Sequence, residues 1–215
     1  MLTSTDASIF EINPKEVIYP KDRNDLIGVI RNILSNKKPF TMRAGGTSIG
    51  GQAIGSGVLV DVSKHLNNII DFFEDRKEII VEPGVIQDDL NLFLQSYNLK
   101  FAPDTSTSNR AMIGGMIGNN SCGSYSIFYG TTRDHVKSIE VILSDGSLVE
   151  FKELSEKELG DKLSMQTLEG DIYRFVINLL NNNQQEILDA FPDESLIRRN
   201  TGYALDELIR KYKPF

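Results

Sequence analysis

The stretch RAGGTSIGG, Arg43 to Gly51, sets four glycines, two hydroxyl side chains and an arginine directly behind the apolar run KPFTM. Residues of these types suit one kind of chemistry. With no Cβ in the way, successive backbone N–H groups can converge on an anion, and a guanidinium can add local positive charge. A second window, MIGGMIGNNSCGSYSIFYG, contains no charged residue, yet its asparagines and serines make it too polar for a plain core segment. Such a segment fits around a large ligand that has both apolar and hydrogen-bonding edges. Six glycines lie between Gly45 and Gly57 and five between Gly114 and Gly130, so eleven of seventeen crowd into two windows. Glycine costs roughly 0.5–1 kcal/mol against alanine in regular structure, so clustering on this scale marks tight turns or a ligand lying against the backbone.

The familiar nucleotide loops do not account for these windows. No glycine is followed by Lys-Ser or Lys-Thr, which removes the P-loop, and GGTSIGG and GGMIGNN have the wrong spacing for the Gly-x-Gly-x-x-Gly fingerprint. A simple Rossmann domain is disfavoured. Cys122 is the single cysteine, so no internal disulfide or Cys-rich metal site is expected, in keeping with a reducing compartment. The two histidines, His65 and His135, stand at no familiar ligand spacing, and no metal is expected. A net charge of -7 gives no basic field for nucleic acid or anionic lipid, so any phosphate must be held mainly by backbone amides. The start lacks a basic region followed by an apolar stretch, and no window of about 18 apolar residues occurs, which makes a soluble cytoplasmic protein the default expectation.

The elements that position the two windows follow from hydrophobic periodicity. EVIYP reads as a short strand stopped by Pro20, and Arg23 to Leu34 as a helix with Leu26, Ile27, Ile30, Ile33 and Leu34 on one face and Asp22 as N-cap. KPFTM leads into the first loop, which ends in the buried-type strand GVLVDVS, giving a small parallel unit with the loop at its edge. IIDFFEDRKEIIVEPGV reads as an antiparallel hairpin, and Ile86, Leu90, Phe93, Leu94 and Tyr97 then recur at helical spacing. VKSIEVILSDGSLVEF is a second hairpin turned at Asp145-Gly146. Leu154 to Leu168, dense in both charge signs, reads as a solvated surface excursion, followed by two short helices from Asp171 and from Gln184.

Six segments in order, RAGGTSIGG, VEPGV, APDTSTS, IGGMIGNNSCG, YGTTRDHV and RRNTGYALDEL, resemble the FAD-binding domain of the vanillyl-alcohol-oxidase and p-cresol-methylhydroxylase (PCMH) flavoprotein superfamily. Within it the group of glycolate oxidases and D-lactate dehydrogenases is most similar. The likeness runs from about Val17 to about Leu208. It implies an α+β fold of two subdomains, a small one built on a parallel sheet (about residues 14–65) and a larger one built on an antiparallel sheet with helices (about 66–215), with FAD between them. It also implies oxidation of a D-2-hydroxy acid (lactate, glycolate or 2-hydroxyglutarate-like) to the 2-keto acid, by hydride transfer to flavin N5.

Carried over by position, Gly45, Gly46, Thr47, Ser48, Gly50 and Gly51 form the pyrophosphate loop, with Arg43 beside it. Pro83 and Gly84 match a tight turn next to the cofactor, and Pro103, Asp104, Thr105 and Ser106 the segment that approaches the flavin ring. Gly114, Gly115, Gly118, Asn119, Asn120 and Gly123 match the segment beneath ribityl and pyrophosphate, and Val136 a position near the adenine. Thr47 stands where family members that bind flavin covalently have histidine, and Ser108 about where they have cysteine, so noncovalent FAD is expected.

Cys122 lies in NNSCG, a form similar to that of longer members carrying an iron–sulfur segment, although a small buried residue is the simpler reading. The electron acceptor is not legible. Family members continue into a cap domain that supplies the substrate-binding arginine and catalytic histidine, and neither is identifiable here, so this chain alone is expected to be inactive. An open glycine-lined surface would favour a homodimer. A noncatalytic FAD-binding or electron-relay subunit, served by a partner chain, is the alternative.

Overall fold

The structure, a computed structural model, describes residues 3–193, 195–196 and 202–211. Arg198 to Thr201, the start of the RRNTGYALDEL segment, lie outside the described residues. The chain packs as two compact units, 1–136 and 137–215. This division is one of compactness, distinct from the boundary near residue 65 between the parallel sheet and the first antiparallel hairpin.

The first unit begins with β1 (Glu16–Ile18), α1 (Arg23–Ser35), β2 (Phe40–Arg43) and β3 (Val58–Asp61). The three strands form a parallel sheet in the order β1-β3-β2. β3 is central and every one of its residues is buried, which is why it reads as the unbroken run Val58-Leu59-Val60 and not as an alternating strand. α1 starts where Asp22 accepts the Asp25 N–H at 2.9 Å and turns Ile30 and Ile33 inward. Because β2 ends at Arg43, the glycine loop leaves the sheet at the carboxyl end of a strand, where open α/β sheets bind ligands.

An antiparallel hairpin comes next, β4 (Ile69–Phe73) with β5 (Glu78–Val81), then α2 (Gln87–Gln95), α3 (Ile113–Asn119) and α4 (Ser126–Tyr129), with a 3-10 turn at Thr132–His135. Their shared core consists of Val85, Leu90, Leu94, Ala111, Ile113 and Met116. Phe72 packs edge-on against Phe93 at 5.7 Å between ring centroids. α3 lies within the second glycine window, where no helix was expected. Its inward residues Ile113 and Met116 are buried, and that packing outweighs the poor helix propensity of its three glycines.

The second unit holds the hairpin β6 (Ser138–Ile142) and β7 (Leu148–Lys152), then α5 (Glu156–Ser164), α6 (Leu168–Asn182), α7 (Gln184–Ala190) and α8 (Leu205–Lys211). The hairpin turns at Asp145-Gly146, with Gly146 at φ +81°. The charged stretch after it is at the surface, as its composition implies, and within it Glu156–Ser164 form a helix with no buried residue. The reason is a capping box: the Ser155 hydroxyl accepts the Glu158 N–H, while the Glu158 carboxylate takes the Ser155 N–H at 2.8 Å. α6 begins three residues before Asp171, because Thr167 caps it through the Gly170 N–H. Leu180, Ile187 and Ile209 form the apolar centre of α6, α7 and α8.

Lys162 on α5 donates to the buried carboxylate of Glu169 on α6 and ties the two helices. That hydrogen bond raises the Lys162 pKa above its usual 10.5 against the opposing effect of burial. A lysine whose folded pKa is raised stabilises the fold fully below its unfolded pKa and ceases to do so as pH climbs through the folded one. Glu169→Gln is therefore expected to lower stability at neutral pH and to flatten the alkaline limb of a urea-denaturation series. An unchanged slope above pH 10.5 would show that this pair contributes nothing to the fold.

Candidate functional site

Every candidate residue falls within the first unit. The glycine loop is shaped by two left-handed residues, Gly46 at φ +61° and Gly51 at φ +78°, a region that L side chains enter at a cost. Around them the backbone is short of partners. Among the described residues, the N–H groups of Gly45, Gly46, Thr47, Ser48 and Ile49 donate to no other protein group, whereas Gly50 N–H reaches Gln52 Oε1 at 3.1 Å. Five successive free amides in a half-exposed loop supply the positive partial charge that phosphate oxygens require.

Arg43 is placed differently from a simple phosphate ligand. Its guanidinium donates to Ala53 O at 3.1 Å, lies 3.9 Å from the Asp61 carboxylate, and packs so closely on Gly46 that a Cβ there would be 2.5 Å from Nη2. The arginine thus buttresses the loop from behind and joins its two ends. Asp6, from the N-terminal segment, completes this charge cluster. Burial pushes its carboxyl upward, but hydrogen bonds from Ser8 and Ala53, together with the charge on Arg43, hold it below the ordinary aspartate value.

The other segments converge on the loop by glycine contacts. A Cβ on Gly45 would strike Arg110 O at 2.3 Å, and one on Gly114 would strike the Pro83 Cβ at 2.6 Å. Gly115 faces Ala44 at 3.8 Å. Gly114, Gly115 and Gly118 occupy one side of α3, spaced so that helical geometry stacks them, while Ile113 and Met116 point into the core. The loop, the Pro83-Gly84 turn and the bare side of α3 are therefore neighbours. Gly84 is buried for a separate reason, since a Cβ there would meet Val62 O at 2.5 Å and Leu66 O at 2.6 Å.

Pro103 to Ser106 are joined to the second window at its far end. The Asp104 carboxylate accepts the Tyr125 N–H at 2.9 Å and the Ser124 hydroxyl at 3.3 Å, and a Cβ on Gly123 would lie 2.1 Å from Asp104 O. Gln87, which the sequence did not single out, holds the same segment: its buried amide donates to Pro103 O and accepts the Thr105 hydroxyl at 3.0 Å. Asn120 is drawn toward the 3-10 turn, where its side chain accepts the Arg133 N–H at 2.9 Å, and Val136 comes directly after that turn. Apart from the bonds internal to α3, Thr47, Ser106, Gly118 and Asn119 make no hydrogen bond to the rest of the described protein, and Gly118 and Asn119 are exposed.

Cys122 is half-buried and has no disulfide partner, so it is less enclosed than the simplest reading expected. His65 is exposed, and His135 sets Nε2 2.7 Å from Tyr129 O. Among the described residues no group of three or more His, Cys, Asp or Glu could hold a metal ion, and no helix is long and apolar enough to cross a membrane.

An amide-lined loop at the end of a parallel strand, facing a helix with a side-chain-free flank, defines a nucleotide-cofactor-binding domain of the α+β class. The family described as FAD binding domain matches residues 14–152, and the chain belongs to that family. FAD is its cofactor. D-2-Hydroxyglutarate dehydrogenase of Escherichia coli (strain K12) is 38% identical over 206 residues, covering 94% of this chain and 20% of the relative. Glycolate oxidase subunit GlcD of Bacillus subtilis (strain 168) is 33% identical over 141 residues, covering 65% of this chain and 30% of the relative. Among solved structures, the carbohydrate oxidase from Microdochium nivale superposes with a TM-score of 0.65 at 18% identity, over 73% of this chain and 34% of that one, a likeness of fold. The chain spans about a fifth of the length of the D-2-hydroxyglutarate dehydrogenases that it matches.

The residues present suit FAD. Free amides at Gly45 to Ile49 suit a pyrophosphate, and at Gly118 a Cβ would meet nothing within 4 Å, which leaves room for a ligand beside the backbone of α3.

Proposed function

We propose that this chain is the FAD-binding part of a dehydrogenase that oxidises a D-2-hydroxy acid, with D-2-hydroxyglutarate the favoured substrate. The observation that carries the reading is the extent of likeness to the Escherichia coli D-2-hydroxyglutarate dehydrogenase. It takes in 94% of the chain, and so continues through the second unit, well beyond residue 152 where the FAD-binding family match ends. The glycolate oxidase relative is similar over 65% of the chain only.

When bound, the flavin supplies the two-electron acceptor for converting the hydroxyl-bearing carbon to a ketone. The chain's own residues bind and orient it. Amides from Gly45 to Ile49 receive the pyrophosphate, the open Gly118 end of α3 lets the cofactor approach the backbone while Gly114 and Gly115 let the helix close on Pro83 and Ala44, and Gln87 with Asp104 fixes the segment assigned to the ring. Val136 is assigned to the adenine end. Attachment is noncovalent, since Thr47 and Ser108 occupy the positions that carry the link in covalent members. His135 is engaged with Tyr129 O, and His65 is exposed. On the family resemblance, proton abstraction and recognition of the substrate carboxylate are assigned to a cap domain.

The test has two stages. Heat-denatured holoprotein should release all its flavin, as FAD; FMN, or flavin that stays with the polypeptide, overturns the cofactor assignment. Anaerobic mixing of holoprotein, including any polypeptide continuous with this chain, with D-2-hydroxyglutarate, D-lactate and glycolate should bleach the flavin fastest with the first. Bleaching by none of them would favour an electron-relay subunit.

A further inference from the structure

Residues Ser4 to Ile12, which precede the family match, form a small closed loop of their own. Thr5 and Glu11 pair across it, the Ile12 N–H donates to Ser4 O at 2.8 Å, and the Ser4 hydroxyl reaches Glu11 at 3.3 Å. Inside it, Ser8 N–H donates to Asp6 Oδ1 at 2.8 Å and Phe10 N–H to Ser8 Oγ at 3.1 Å. This loop is fastened to the glycine loop at three places. Ala7 N–H donates to Gly46 O at 3.1 Å, the Asp6 carboxylate accepts Ala53 N–H at 3.4 Å, and the Phe10 ring closes over Gly51, where a Cβ would sit 3.1 Å from Cδ2.

The first of these contacts has a stereochemical effect. In a trans peptide the carbonyl of one residue and the N–H of the next point in opposite directions. Holding Gly46 O against Ala7 therefore turns the Thr47 N–H away from the N-terminal loop. The left-handed φ of Gly46 makes the alternative peptide orientation accessible, so something has to select between the two. Ala53, at the other end, is gripped on both sides of its backbone: its N–H by Asp6 and its carbonyl by Arg43.

We propose that Ser4 to Ile12 act as a latch that sets the peptide orientation of the pyrophosphate loop, with the Ala7 backbone and the Asp6 carboxylate as positioning groups for dinucleotide binding. The proposal rests on the reading of Gly45 to Ile49 as the pyrophosphate site. Its ligand class is the diphosphate of FAD, so the latch should govern affinity for FAD and ADP and leave that for riboflavin, which has no phosphate, unaltered.

The experiment measures FAD, ADP and riboflavin affinities by flavin fluorescence and calorimetry on deflavinated protein carrying Ala7→Pro, Ala7→Gly, Asp6→Ala or Asp6→Asn. Ala7→Pro lacks the donor, and about a ten-fold loss of FAD affinity is expected, the equivalent of one hydrogen bond of ~1.4 kcal/mol. Ala7→Gly restores the N–H and should recover the affinity. Asp6→Ala should weaken FAD and ADP in the same direction, with Asp6→Asn, which keeps an acceptor oxygen, recovering most of the loss. Should Ala7→Pro not fold, the Asp6 pair still decides. Unchanged FAD affinity in Asp6→Ala, or equal losses for FAD and riboflavin, overturns the latch. Gly46→Val tells the two ideas apart: if it abolishes FAD binding while the latch variants bind normally, the loop reading stands and the latch falls.

Discussion

Gly46→Val is expected to leave the protein without FAD. The residue sits at φ +61°, where a β-branched side chain is strained, and its Cβ would lie 2.5 Å from Arg43 Nη2 and 2.9 Å from Cζ. Neither difficulty has a local remedy. Relaxing the backbone to negative φ rotates the Gly46-Thr47 peptide and takes the Thr47 amide out of the cluster, while moving the guanidinium breaks its bond to Ala53 O. Arg43→Ala makes the comparison informative, because it removes one charge-assisted bond of about 1.5–3 kcal/mol and the loop's buttress, yet leaves at position 46 a glycine that holds a positive φ without strain. Flavin retained per mole of purified protein should thus fall in the order wild type, Arg43→Ala, Gly46→Val, with the last at least ~100-fold weaker in FAD affinity if three or more amide contacts near 1 kcal/mol each are lost. A folded Gly46→Val protein with wild-type flavin content would mean that the pyrophosphate lies elsewhere.

Much of this fold is legible in local pattern. The run Val58-Leu59-Val60 marks a strand buried on both faces, and Asp22 followed by Leu26, Ile30 and Ile33 marks a capped amphipathic helix. Both signals arise from short-range chemistry, and both hold. α3 is different. Its sequence IGGMIGN is about as poor a helix former as glycine can make it, and it is helical because Ile113 and Met116 are anchored in a core built by residues far away in sequence. Tertiary packing left no local trace. α5 did leave one, since Ser155 and Glu158 have capping-box spacing, but the density of charge around them marks only a solvent-facing surface, which a helix and a loop share.

The candidate site divides along the same line. Residue type alone was enough to mark where backbone must be bare, because a Cβ on Gly45 would lie 2.3 Å from Arg110 O and the positive φ at Gly46 is one that side chains enter at a cost. Side-chain roles needed the fold. Arg43 is adjacent in sequence to the loop it was assigned to charge, yet it turns back to Ala53 and Asp61. Gln87 looks in the sequence like one more polar residue at a helix start, and only burial shows that it holds Pro103 and Thr105.

Glycines kept for packing and glycines kept for a ligand can be separated experimentally, and Gly118 provides the sharpest case. A Cβ there meets nothing within 4 Å, although the residue lies inside α3, where glycine is unfavourable. Protein packing gives no reason for it; the proposed cofactor, lying against the Gly118 end of the helix, would. Gly118→Leu should therefore keep or slightly raise the stability of the apoprotein, by up to about 1 kcal/mol of helix propensity, while eliminating FAD binding by filling the ligand's place. Two other glycines calibrate the result. Gly28, in α1, is equally open and has no part in the site, so Gly28→Ala should give the same gain in stability with FAD affinity unchanged. Gly123 is the reverse, because its Cβ would collide with Asp104 O at 2.1 Å, a backbone atom that cannot swing aside. Gly123→Ala should cost about 1–3 kcal/mol in the apoprotein, the usual range for overpacking, before any cofactor is added. Apoprotein melting curves and FAD titrations on the three variants give the two readings independently. If Gly118→Leu binds FAD as tightly as wild type, the bare side of α3 does not face the cofactor, and the second glycine window loses the role assigned to it.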